Sequence, residues 1–123
     1  RIYRCRDGRT EQLSKDHTSA WGQLARGEIS ELEYRNHPRR AALYRVIGGG
    51  KPIGAPHFAA VQYMPGDRFL ICSDGLIDGV WERHIRDALA EDSLPVECCR
   101  KLLNRAVENA GADDATLIVI GIS

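Results

Sequence analysis

At 123 residues, with 43% hydrophobic and 28% charged positions, the chain has the size and composition of one globular domain, with little margin of buried core to spare. Its 17 Lys and Arg balance 17 Asp and Glu, so no excess charge points to nucleic acid or an anionic membrane. No run approaches the ~20 apolar residues that cross a bilayer. The opening Arg-Ile-Tyr-Arg lacks both an initiator Met and the apolar segment of a signal peptide. The expected setting is the cytoplasm, and the expected chain is a piece of something longer or a processed product.

In chain order, "RIYRCR" and "RTEQLS" flank Asp7-Gly8, a pairing that predicts a β-hairpin over residues 1–14. Trp21, Leu24 and Ala25 share one face of a short helix stopped by Gly27. Ile29 and Leu32 predict one or two further turns, ended by Asn36-His37-Pro38. "AALYRVIGGG" reads as a strand entering a glycine-rich turn, a flexible connection and not a phosphate loop, because no helix follows. "HFAAVQYM" and "RFLICS" read as strands joined by the turn Pro65-Gly66-Asp67. Two helices follow. In the first, Trp81, Ile85, Ala88 and Leu89 form the apolar face and Asp78 is the cap. In the second, the stripe is Val96, Cys99, Leu103, Ala106, Val107 and Ala110, with Pro95 near its start and Gly111 past its end. "ATLIVIGI" closes the chain as a strand too apolar for a half-exposed edge, hence covered on both faces. About six strands, mostly hairpin-linked, and three helices predict an α+β fold with antiparallel pairing.

The four cysteines, Cys5, Cys72, Cys98 and Cys99, form no C-x-x-C pair and have no His at ligand spacing. Buried reduced thiols fit better than zinc. The clustered arginines, including Arg39 and Arg40, read as a solvated face.

Two carboxylate positions carry the chemistry. Asp74 ends the strand "RFLICS" and precedes a glycine; Asp113-Asp114 come just before "ATLIVIGI". An Asp-Gly pair also serves as an ordinary turn. If the two strands are neighbours of suitable polarity, however, Asp74 and Asp113 converge at one rim, where clustered carboxylates need protons or a cation. All-oxygen donors of this kind suit Mg²⁺ or Mn²⁺. No EF-hand spacing is present. A covalent Asp nucleophile at 74 would need a second Asp at 76, which is Leu76.

"RIYRCRDGRTEQLSKDHT", "GDRFLICSDGLIDGVW" and "DDATLIVI" resemble, in order, three segments of the metal-dependent protein phosphatases (protein phosphatase 2C-like, PPM type). "GEISELEYRNHPRRAALYRVIGG" is similar to their helix and flap region. The resemblance implies that residues 1–123 are the C-terminal part of such a domain, with 15–56 the helix and flap-like segment. It further implies an αββα sandwich of two antiparallel sheets, here without its N-terminal half. Asp74 and Asp113 are then metal ligands for Mn²⁺ or Mg²⁺, two ions in the complete domain, which activate a water against phosphoserine or phosphothreonine. Asp114 stands where the family usually has Asn. His17 matches a family loop, and Arg39 and Arg40 lie in the flap-like segment. The family's early Asp, Asp-Gly-x-Gly-Gly motif, phosphate-binding Arg and His acid have no counterpart, so no catalytic residue is assigned and the isolated piece is expected to be inactive. The implied partners are phosphorylated proteins of a Ser/Thr kinase system, and a dimer or strand swap would cover exposed sheet. The alternative is a non-catalytic binding or regulatory module derived from the same fold.

Overall fold

The computed structural model describes residues 1–48, 50, 55–109 and 113–123. The chain divides into two compact units, residues 1–14 with 59–123, and residues 15–58.

The first unit is a sheet with helices on one face. Strands β1 (Ile2–Arg6) and β2 (Arg9–Gln12) form the predicted hairpin. Asp7 and Gly8 both take positive φ, 49° and 72°, the backbone of a tight turn whose twist matches its strands. Strand β3 (Arg68–Cys72) pairs antiparallel with β1, and β4 (Leu117–Gly121) pairs antiparallel with β3, so the order is β2-β1-β3-β4. Helices α3 (Asp74–Gly79), α4 (Glu82–Ala90) and α5 (Pro95–Asn109) complete the unit.

Side chains alternate across a strand. Tyr3, Cys5, Leu70 and Cys72 therefore share a face and are buried with Leu76, Ile85, Leu89 and Leu102 of the helices. Each such Leu or Ile stabilises by about 1.5–3 kcal/mol relative to exposure. The opposite face carries Ile2, Ile71 and Ile118 in one cross-strand row and Phe69 with Ile120 in the next. Ile118 is 55% exposed and Ile120 is 42% exposed.

Two polar ties hold the sheet's ends. Met64 to Asp67 make a turn closed by Asp67 N–H on Met64 O at 3.0 Å, with Gly66 at φ 92° as a type II turn needs. Asp67, 1% exposed, accepts Arg6 Nε and Nη2 at 2.7 and 2.6 Å and Met64 N–H at 2.9 Å. The Arg6 guanidinium, aided by that amide, holds the Asp67 carboxyl down at about 2. On the helix side, Arg68 donates to the carbonyls of Leu89, Glu91 and Ser93, meeting acceptors that the end of α4 leaves over.

The second unit contains α1 (Ser19–Ala25) and α2 (Glu31–Arg35). Thr18 caps α1 through Trp21 N–H at 3.1 Å, and Gly27 follows with φ 71°. Ser30 and Glu33 form a reciprocal capping box on α2. Its buried residue is Tyr34, not Leu32, which lies outward.

Several expectations fail, each for a tertiary reason. Four strands and five helices form among the described residues. The run 41–48 makes only an isolated bridge, Thr18 to Leu43. Residues 57–64 form no strand either; they lie as coil whose Gln62 carbonyl accepts Arg4 and Arg6. A run of strand formers without a ladder partner stays outside a sheet. The predicted flexibility of the glycine turn falls partly on 49 and 51–54, outside the described residues. Asp78 is not the cap of α4 but sits inside α3; Trp81 holds the cap position. On α5 the buried positions are Cys98, Leu102 and Ala106, while Val96, Leu103 and Val107 are exposed. The rotation follows from contact with α3: a Cβ at Gly79 would lie 2.6 Å from Ala106 O, so a small residue must face it. The cap and stripe ends assigned to Ala110 and Gly111 lie outside the described residues. Finally, β4 is an edge strand covered on one face, not two.

Candidate metal centre

Antiparallel pairing of β3 with β4 places Cys72 opposite Leu117, so the end of one strand and the start of the other fall at the same edge of the sheet. Both acidic segments extend from that edge. Ser73 N–H donates to Thr116 O at 2.9 Å, one step beyond the ladder. Asp74 is the first residue of α3 and is exposed. Asp113 and Asp114 are also exposed, and Asp113 Oδ1 accepts Asp114 N–H at 2.9 Å.

The two segments touch because position 75 has no side chain. A Cβ there would lie 2.5 Å from Asp114 O and 2.9 Å from its carbonyl carbon. The glycine that reads in sequence as turn chemistry is thus required by close approach of two backbones. Behind Asp74, α3 is anchored by buried Leu76 and Ile77, with Val80 at its end, and by Asn109 Nδ2 on Gly79 O at 3.2 Å. A carboxylate at the head of so tightly held a helix is offered from a rigid base.

The donor chemistry matches a hard cation: carboxylate oxygens on one rim, with no thiol or imidazole between them. The number falls short of a complete set, since no group of three His, Cys, Asp or Glu that could hold a metal occurs among the described residues. Asp74 and Asp113 fit part of such a site.

The other sequence candidates lie apart from this rim in sequence and belong to the second unit. His17 Nε2 meets Arg45 Nη1 at 3.3 Å, and its ring lies 5.7 Å from that of Tyr44. Arg39 is exposed, its N–H on His37 Nδ1 at 3.1 Å, and Arg40 is half-buried. The residue that pattern reading passed over is Ser73. In sequence it looks like an ordinary helix cap, and only the fold shows its hydroxyl turned elsewhere.

An α+β sheet layer with an acidic rim at the β3–β4 edge defines the class of domain, and comparison with known proteins refines it. No protein-family model matches the chain. The PPM Ser-Thr phosphatase MsPP from Mycobacterium smegmatis, solved in complex with cacodylate, superposes with TM-score 0.82 at 40% identity, over 99% of this chain and 52% of that one. Serine/threonine protein phosphatase PstP of Mycobacterium tuberculosis is 32% identical over 99% of this chain and 23% of its own length. The catalytic domain of PstP in complex with 2 manganese ions superposes with TM-score 0.72 at 30% identity, over 97% and 48% of the respective chains. The chain's homologues are PPM-type serine/threonine phosphatases, which it resembles over nearly its whole length. It spans about half the length of the solved phosphatase chains it matches.

Proposed function

We propose that this chain supplies one part of a divalent-metal site for hydrolysis of phosphoserine and phosphothreonine in proteins, with Asp74 and Asp113 as its ligands. One observation carries the reading: Ser73-Asp74-Gly75 lies against Asp114 to Thr116 at one rim, in a chain similar to phosphatases over nearly its whole length. Mn²⁺ or Mg²⁺ bound there would polarise a phosphoryl oxygen and lower the pKa of a bound water. The chain's own part is to hold two carboxylates in fixed relation: α3 anchors Asp74, and the Asp114 amide orients Asp113. Asp114 adds a further negative charge beside them. No general acid is assigned among these residues, and the rest of the ligand set belongs to the half of the domain this chain does not span. Manganese in the PstP structure supports the metal.

The same reading makes residues 15–56 the helix and flap-like segment, phosphorylated proteins of a Ser/Thr kinase system the partners, and the cytoplasm the site of action. Among the described residues no helix is long and apolar enough to cross a membrane. The exposed isoleucines of the open sheet face support its being covered, by the other half-domain or by a dimer or strand swap.

The test is Mn²⁺-dependent hydrolysis of para-nitrophenyl phosphate by this chain, alone and mixed with the part of MsPP that it does not match. Alone it is expected to be inactive. Turnover in the mixture, abolished by Asp74→Asn or Asp113→Asn, supports the assignment. Turnover unaffected by both substitutions sinks it.

A further inference from the structure

A serine immediately before a helix ordinarily turns its hydroxyl onto the second or third amide of that helix. Ser73 holds that position ahead of α3, with extended backbone at φ −74° and ψ 171°, yet its side chain makes no such bond. The hydroxyl crosses to the segment before β4 instead. Oγ accepts Thr116 N–H at 2.9 Å and donates to Asp114 O at 3.4 Å. With Ser73 N–H on Thr116 O, one residue grips the stretch after Asp113 at three points.

The β3–β4 ladder cannot do this alone, because its last pair is Cys72 with Leu117. Nor can Gly75: its contact with Asp114 is van der Waals, which limits how near the backbones come but not how far one slides along the other. Hydrogen bonds to both a donor and an acceptor of the facing segment are directional and resist sliding. The sequence gives up a helix cap at α3 to make them.

We propose that Ser73 is a positioning residue, a staple that sets the separation of the segments bearing Asp74 and Asp113. The staple follows from these hydrogen bonds; its purpose rests on the metal-site reading above.

The experiment is NMR on the full chain as wild type, Ser73→Ala and Ser73→Thr, read in two ways. The first is amide hydrogen exchange. In Ser73→Ala the Thr116 amide is expected to exchange about tenfold faster, the cost of one lost hydrogen bond, while the amides of Leu117 to Ile120 stay as protected as in wild type. Ser73→Thr, which keeps the hydroxyl, restores slow exchange. The second is paramagnetic broadening by Mn²⁺ alone. In wild type the amides of Asp74 and Asp113 are expected to broaden together. In Ser73→Ala those of Asp113 and Asp114 need about tenfold more Mn²⁺ than that of Asp74. Thr116 exchange within twofold of wild type in Ser73→Ala overturns the staple. No Mn²⁺ broadening at either segment of wild type overturns the metal reading, while the exchange result still decides the staple. If Ser73→Ala does not fold, Ser73→Cys, close in shape but a weak hydrogen-bonding group, carries the same measurements.

Discussion

Two short helices, one in each unit, are held in opposite ways. Helix α3 has six residues and no side-chain cap, but four of them are buried: Gly75, Leu76, Ile77 and Gly79. Helix α2 has five residues and one buried side chain, Tyr34, but a complete capping box. Neither length is stable alone in water, because nucleation costs more than one turn returns. Burial rescues α3 and local hydrogen bonding rescues α2. The helix that carries Asp74 is thereby tied to the core, and its position depends on the whole first unit. Helix α2 relies mostly on contacts within its own short stretch, the Ser30–Glu33 box and the Glu31–Arg35 pair at 3.2 Å, with Tyr34 its one buried side chain.

The sharpest way to break this comparison is to truncate one leucine in each helix. Leu76→Ala empties a fully buried site and is expected to destabilise the first unit by about 2–5 kcal/mol, read as a lower urea midpoint. Leu32→Ala, at an outward position of α2, is expected to change stability by less than about 0.5 kcal/mol. Similar losses at both sites would mean that α2 is also held by burial.

Glycine substitutions give the next largest effect. Gly79→Ala drives a methyl to 2.7 Å from Ala106 Cα, backbone that cannot yield easily, and should cost about 1–3 kcal/mol. Gly22→Ala in α1 meets only the flexible end of Arg26 at 3.3 Å. There the expected change is a gain of up to about 1 kcal/mol from helix propensity. Equal thermal shifts for the two would refute the packing argument.

Removing the cap is smaller still. Ser30→Ala should cost about 1 kcal/mol, confined to α2. The Glu33 carboxyl, held below its usual value by the Ser30 amide and hydroxyl, should titrate higher in the variant. An unchanged Glu33 titration by NMR would show that the box does not form.

The mildest probe is acid, since nothing changes near neutrality. Asp67 is depressed to about 2 in the fold from 3.8. Its contribution to stability is therefore complete above about pH 4 and is lost as pH falls toward 2. Thermal melts should show the advantage of wild type over Asp67→Asn shrinking through that window. A constant difference from pH 6 to pH 2.5 would mean that the Arg6–Asp67 pair does not supply it.

Local rules were enough where one short stretch holds all the information. The Asp7-Gly8 hairpin, the Pro65-Gly66-Asp67 turn, the stops at Gly27 and Asn36, and the core face of α4 could all be read from neighbouring residues. Apolar composition was a poorer guide. "RFLICS" and "ATLIVIGI" found partners and became strands, while residues 41–48 and 57–64, about as rich in strand formers as "RFLICS", did not. On α5 the more apolar stripe was not the buried one: Cys98, Leu102 and Ala106 face the core while Leu103 and Val107 lie outward, a choice made by contact with α3.

The sequence by itself determined the local turns and caps, the two acidic segments, and the likeness in which those segments occur. These depend on neighbours a few residues away and on the chemistry of individual side chains. The tertiary structure alone decided that β3 and β4 are antiparallel neighbours, that Gly75 must be bare because Asp114 O would lie 2.5 Å from any Cβ there, and that the Ser73 hydroxyl serves another segment instead of its own helix. Those facts join residues some forty positions apart, and only packing and strand pairing can specify contacts at that separation.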